Sequence, residues 1–185
     1  MSVDRLCLGT AKLGLPWYGL GSVSRPGPDE IVAILRRAQQ LGIRWFDTGA
    51  AYGDAEDWVR EFAPSASVIM KMTPRLVLAG ALHQRGHLAG AFLHNPSVVE
   101  LQDAALVGVI GQPERDYSLV GASVYTPEEA RAVIAARLGA IQVPYCLLDR
   151  RHEETICKAT VAGLKVFARQ PFLQGLLTNR LPDRL

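Results

Sequence analysis

Seven short apolar runs punctuate this chain, and most are separated by stretches that read as helices. They fall at 5–10, 42–47, 67–72, 88–94, 117–123, 140–145 and 164–168. A recurrence of roughly 25 residues is the rhythm of repeated βα units. Such units force parallel strands with right-handed crossovers, in an open sheet or a closed barrel. A complete eight-unit barrel takes ~250 residues, whereas this chain has 185. The expectation is one α/β domain over 1–185: an incomplete or minimal (β/α)8 TIM-type barrel with about seven parallel strands and no eighth unit.

Local signals divide the runs. Pro28-Asp29-Glu30 opens a helix whose apolar residues Ile31, Ile34, Leu35, Ala38 and Leu41 share one face, and Gly42 stops it. Asp54 to Phe62 reads as a short helix with acid in its first turn, which suits the helix dipole. Leu76 to His83 predicts a brief helix before Gly86, and Val98 to Ile110 predicts one buried helix closed by Gly111 and Pro113. Thr126-Pro127-Glu128-Glu129 has capping-box order, with a helix running to about Leu138. Glu153 to Ala162 is helical by pattern, and Gly163 ends it. The connection from Gly14 to Pro28 is too rich in glycine and proline for regular structure.

Composition narrows the classes of function. Hydrophobic residues at 49% and charged residues at 21% are ordinary for a globular chain. A net charge of +2 without a basic run offers no nucleic-acid footprint. No apolar run reaches membrane-spanning length, and no amino-terminal segment reads as a signal peptide. Cys7, Cys146 and Cys157 are far apart and lack CxxC spacing, which predicts reduced thiols in a cytoplasmic protein. His83 and His87 have helical i, i+4 spacing but no cysteine or carboxylate partner nearby, so no metal is expected. Gly19-Leu20-Gly21 is not a dinucleotide fingerprint, since no GxGxxG follows a strand there.

The chemistry-bearing residues gather at strand ends. Asp47 and Tyr52 leave the second run, Lys71 lies in the third and His94 ends the fourth. The carboxyl ends of parallel strands are where α/β proteins place reacting groups. Reduction of a carbonyl needs an acid on the oxygen as negative charge develops there. A phenol is a weak acid at neutral pH. A neighbouring ammonium lowers its pKa, and an imidazole can donate to the same oxygen. A buried lysine in turn needs a counter-charge. Tyr52 is thus the candidate acid, Lys71 its tuner, Asp47 the anchor of Lys71, and His94 an orienting donor. Read singly, Asp47 could cap a helix, His94 could satisfy a buried contact, and Ser123 and Gln142 could merely satisfy backbone. Arg169 could form a surface ion pair. Trp17 and Tyr18, in the first loop, are candidates for an apolar wall over substrate.

These residues resemble a known family. FDTGAAYGDAE (46–56) is similar to the signature of the aldo-keto reductases, NADPH-dependent carbonyl reductases built on a (β/α)8 barrel. LGTAKLG (8–14) resembles that family's first strand and loop. The lysine strand matches at Lys71 and the LHNP step at His94. VGASVYTPEE (120–129), IQVPYCLLDRR (141–151) and VFARQPFLQGLL (166–177) resemble the fifth, sixth and seventh strand segments. The resemblance implies that Asp47, Tyr52, Lys71 and His94 are the catalytic tetrad. It implies that Ser123 and Gln142 hold the nicotinamide carboxamide, and that Arg169 and Gln170 contact nicotinamide and pyrophosphate. Gly9 and Thr10 fall at the mouth. The family's eighth strand and following helix, which grip the adenosine 2′-phosphate, have no counterpart in the sequence. Three expectations follow: NAD(P)H-dependent reduction of an aldehyde or ketone; a cofactor-independent isomerase, lyase or cyclase using the same four residues; or a degenerate barrel kept as a binding partner. A second copy of the chain is a candidate to cover the open barrel edge.

Overall fold

The computed structural model describes residues 3–18, 24–81, 88–111 and 117–178. Seven strands form one sheet: β1 (Cys7–Gly9), β2 (Trp45–Gly49), β3 (Ser67–Met72), β4 (Gly90–His94), β5 (Leu119–Ser123), β6 (Ala140–Pro144) and β7 (Lys165–Arg169). They lie side by side in chain order, and every neighbouring pair is parallel. Eight α-helices are described between them: α1 (Ala11–Gly14), α2 (Pro28–Gln40), α3 (Ala55–Phe62), α4 (Pro74–Leu78), α5 (Val98–Gln102), α6 (Ala104–Ile110), α7 (Pro127–Ala135) and α8 (Glu153–Val161).

The sheet is curled. In a flat sheet, β2 and β7 would stand about 24 Å apart, five strand spacings of ~4.8 Å. Instead the Trp45 and Phe167 rings are 6.5 Å apart, and Lys165 Nζ lies 4.4 Å from the Trp45 ring centroid. This is an incomplete (β/α) barrel of seven strands. The outer edges of β1 and β7 have no strand partner among the described residues. Beside the β1 edge, Leu8, Ile34, Leu41 and Ile43 line an open apolar groove.

Alternation along each strand sorts side chains between two cores. Phe46 faces outward against Ile31, Leu35 and Val59, while Met70, Leu93, Ala122 and Ile141 pack under Leu101, Leu106, Ile110 and Val133. Burying Phe46 alone stabilises the fold by ~1.5–3 kcal/mol. Inward, Trp45, Ile69, Phe92, Ala140 and Phe167 fill the barrel floor with Cys7 and Leu119. Gly121 makes room for that floor, since a Cβ there would stand 2.9 Å from the Phe92 ring and 2.7 Å from the Ala140 carbonyl oxygen.

The helix boundaries follow the local chemistry. Pro28 sits in the first turn of α2, and the Glu30 carboxylate accepts from the Gly27 N–H at 3.0 Å. Gly42 then turns the chain at φ +82°. The Thr126 hydroxyl accepts from the Glu129 N–H, and the Glu129 carboxylate accepts from the N–H groups of Tyr125 and Thr126. This helix is shorter than its apolar pattern predicts, ending at Ala135 before Arg137 takes φ +53°. The single helix expected over Val98 to Ile110 is divided. Asp103 adopts extended backbone (φ −74°, ψ 106°), and its side chain accepts from the Ala105 N–H, so it ends α5 and caps α6. An aspartate competes with helix by bonding its own neighbouring backbone, and here that local bond prevails over the continuous apolar pattern. No helix among the described residues is long and apolar enough to cross a membrane.

Candidate active site at the strand carboxyl ends

Asp47 is the third residue of β2 and points inward, next to the floor. Two residue pairs further along, Lys71 of β3 lies opposite Gly49. A Cβ on Gly49 would meet Lys71 Cβ and the Tyr52 ring at 3.4 Å each, so glycine here lets both side chains close in. Lys71, only 3% exposed, sends its ammonium to the Asp47 carboxylate at 2.9 Å. Two isolated charges at this depth would each cost several kcal/mol; paired and hydrogen-bonded, they are tolerated.

Tyr52 is set by backbone contact. Its N–H donates to the Gly49 carbonyl at 2.9 Å. A Cβ on Gly14 would lie 1.7 Å from the Tyr52 carbonyl oxygen, and Gly53 turns at φ +58° against the Gly14 carbonyl. Two glycines thus let α1 press directly on the turn that carries the phenol. The Lys71 ammonium lies 5.1 Å from the Tyr52 ring centroid and also engages its hydroxyl. His94, half-buried at the end of β4, meets the Tyr52 ring edge-on at 5.8 Å and 88°.

The electrostatics correct one expectation. Lys71 does act to lower the Tyr52 pKa, but burial outweighs it and the phenol is held above its ordinary value. Tyr52 therefore stays protonated at neutral pH. Burial opposes charge on Lys71 too, yet Asp47 and Tyr52 together raise its pKa and keep it an ammonium. His94 is pushed down, by burial first and then by Lys71. It is a neutral imidazole at pH 7. Burial, with the Asp47 charge adding to it, raises the Cys7 thiol to about 12, so it is no nucleophile.

Ser123 and Gln142 reach the same cluster from β5 and β6. Gln142 Oε1 accepts from Lys71 at 3.1 Å and from the Ser123 hydroxyl at 2.8 Å, and Gln142 Nε2 donates to Asp47 at 3.0 Å. The Thr10 hydroxyl donates to the Asp47 carbonyl. Arg169, at the end of β7, is half-buried and makes no ion pair among the described residues. Its Nη2 donates to the Val124 carbonyl at 3.2 Å, its guanidinium lies 4.0 Å from the Tyr125 ring centroid, and its Nε is buried without a partner. Gln170 follows at φ +59°.

The structure thus brings Asp47, Tyr52, Lys71, His94, Ser123 and Gln142 together and sets Arg169 at the rim. Trp17 is 84% exposed, whereas Tyr18 is 37% exposed and lies near enough for its phenol to interact with that of Tyr52. His83, His87 and the Gly19-Leu20-Gly21 stretch lie outside the described residues, among which no cluster of metal-ligating side chains occurs. Sequence reasoning missed Tyr125 and His152. The buried His152 ring bonds the Tyr125 carbonyl at 2.9 Å and so supports the ring that covers Arg169. The only signal was the place of Tyr125, two residues past a strand end.

A curled parallel sheet with its polar cluster at the strand carboxyl ends is the architecture of a (β/α) barrel. Residues 5–79 match the Aldo/keto reductase family. That match covers 75 of the 185 residues, from β1 through α4. No curated protein sequence matches the chain. Among solved structures, the holo form of an aldo-keto reductase from Bacillus halodurans is 19% identical, with a TM-score of 0.75 over 97% of this chain and 66% of its own. An aldo/keto reductase from Klebsiella pneumoniae, in complex with NADP and acetate, is 22% identical with a TM-score of 0.72, over 94% of this chain and 66% of its own. The chain therefore spans about two thirds of the length of these relatives.

Proposed function

We propose that this chain is an oxidoreductase that reduces a small aldehyde or ketone with NAD(P)H, Tyr52 giving the proton. One observation carries the reading: a buried, protonated phenol stands between an ammonium and a neutral imidazole at the strand carboxyl ends. The NADP complex of the Klebsiella relative supports the cofactor class.

The residues present fit a dinucleotide. The unpartnered Arg169 Nε–H suits a phosphate oxygen or another acceptor on the nucleotide. Ser123 and Gln142 lie in the polar cluster with Lys71 and Asp47, where one Gln142 N–H has no acceptor among the described residues. Arg169 and Gln170 would hold the cofactor from β7, and Ser123 and Gln142 from beneath. The cofactor's part is to supply a hydride.

The protein's part is acid–base and electrostatic. His94 lies against the Tyr52 ring, beside the phenol from which a carbonyl oxygen would accept. As negative charge grows on that oxygen, the Tyr52 proton moves toward it, and the nearby Lys71 ammonium stabilises the phenolate left behind. Asp47 keeps Lys71 charged and in place, and burial excludes water from the transfer.

Fluorescence titration with NADPH, followed by the loss of NADPH absorbance with a carbonyl panel, tests the reading. Binding in the micromolar range is expected, with Tyr52→Phe lowering turnover ~10²–10⁴-fold. No binding at about millimolar nucleotide, or full turnover in Tyr52→Phe, would sink it.

A further inference from the structure

We propose that Gln142 is a positioning residue for the acid–base cluster: from β6 it clamps Lys71 and Asp47 together beneath Tyr52, and so sets the proton affinity of the phenol. This role rests on the reading of Tyr52 as the acid. It is distinct from contact with a cofactor, and the geometry separates the two.

The Gln142 carboxamide is almost fully committed to the protein. Oε1 has two lone pairs, one taken by the Lys71 ammonium at 3.1 Å and the other by the Ser123 hydroxyl at 2.8 Å. Of its two N–H groups, one is given to Asp47 Oδ2 at 3.0 Å. That oxygen also receives Lys71 at 2.9 Å, so Asp47, Lys71 and Gln142 close a three-membered ring of hydrogen bonds across β2, β3 and β6. All three residues are buried, and Ser123 behind them is 2% exposed. With both acceptor sites filled, Gln142 cannot accept from a nicotinamide amide; it can only donate one N–H.

The ring controls where the lysine charge lies. Gln142 Nε2 shares Asp47 Oδ2 and weakens the pull of the carboxylate, while Oε1 gives the ammonium a second acceptor. Without Gln142, Lys71 answers Asp47 alone, and the phenolate of Tyr52 loses support. The charged and titratable groups facing Tyr52 are Asp47 from β2, Lys71 from β3, His94 from β4 and Tyr18 from the first loop, with Arg169 of β7 beyond His94. Among them Gln142 touches Lys71 and Asp47 directly.

The test is the titration of Tyr52 itself, read from tyrosine ring-carbon NMR and assigned by the resonance lost in Tyr52→Phe. In Gln142→Met, a neutral side chain of similar length, the Tyr52 titration is expected to rise by about one pH unit, a tenfold loss of phenolate. Gln142→Glu keeps an acceptor for Lys71 but adds a negative charge beside it, and a larger rise in the same direction is expected. If reduction is also observed, the pH profile of kcat shifts with the titration. A Tyr52 titration unmoved in whichever folded variant is obtained overturns the proposal, as does a change confined to the KM for nucleotide. Absence of NADPH binding leaves this titration intact as a measurement, so it counts against the reductase reading and not against the clamp.

Discussion

The two ends of the site are built differently. At the β2–β3–β6 end, Asp47, Lys71, Gln142 and Ser123 are buried and hydrogen-bond to one another within 2.8–3.1 Å, with Asp47 Oδ1 left without a partner. At the β7 end, Arg169 is only half-buried, rests on an exposed tyrosine and keeps one N–H unpartnered. The first end is buried and keeps a single acceptor to spare; the second is half-exposed and has a donor to spare. Groups that must hold a proton steady belong in the closed end, where low polarity strengthens each interaction. Groups that must admit and release a large molecule belong in the open one.

The comparison can be broken most sharply at Lys71. Lys71→Met leaves the Asp47 carboxylate buried with one partner fewer, and a loss of ~3–5 kcal/mol is expected in urea unfolding. The double variant carrying Asp47→Asn as well should recover part of that loss, because no uncompensated charge remains. A loss under about 1 kcal/mol would mean that water already shares the charge, and the closed end is not closed.

At the open end the expected effect is smaller and of another kind. Arg169→Ala should leave unfolding nearly unchanged while weakening NADPH binding about tenfold, one charge-assisted contact's worth. Equal affinity in wild type and variant would show that the spare donor serves the protein alone.

The smallest expected effect lies between the two ends, at His94. Its pKa in the folded chain is below the ordinary value, so the unfolded chain binds the proton more readily. The contribution of His94 to stability is complete above the ordinary histidine range and is lost as pH falls through it toward the folded value. His94→Gln should flatten the stability profile below about pH 6.5; an unchanged slope would assign the acid sensitivity to other groups.

Much of this was legible in the sequence. The seven strands fall where the apolar runs predict, because parallel strands covered on both faces need nearly continuous hydrophobic residues. The starts of α2 and α7 were readable from Pro28 and from Thr126 with Glu129, since a cap is a bond between near neighbours. Asp47, Lys71 and His94 could be singled out because a charged or titratable group at the end of a buried strand needs a reason to be there. Asp103 was not readable as a break, because its one short bond had to outcompete a strong apolar pattern on either side.

What the sequence alone determined is the order of elements and which residues stand at the carboxyl ends of the strands, because periods of two and 3.6 residues are local properties of the backbone. Only the tertiary structure decided who touches whom. Strand register and the curl of the sheet carried Gln142 of β6 onto a lysine 71 positions earlier and set Phe167 against Trp45. The same burial turned Tyr52 from a phenol eased toward ionisation into one held protonated. Those outcomes depend on distances across the barrel and on the loss of water inside it. Neither is written in any short stretch of chain.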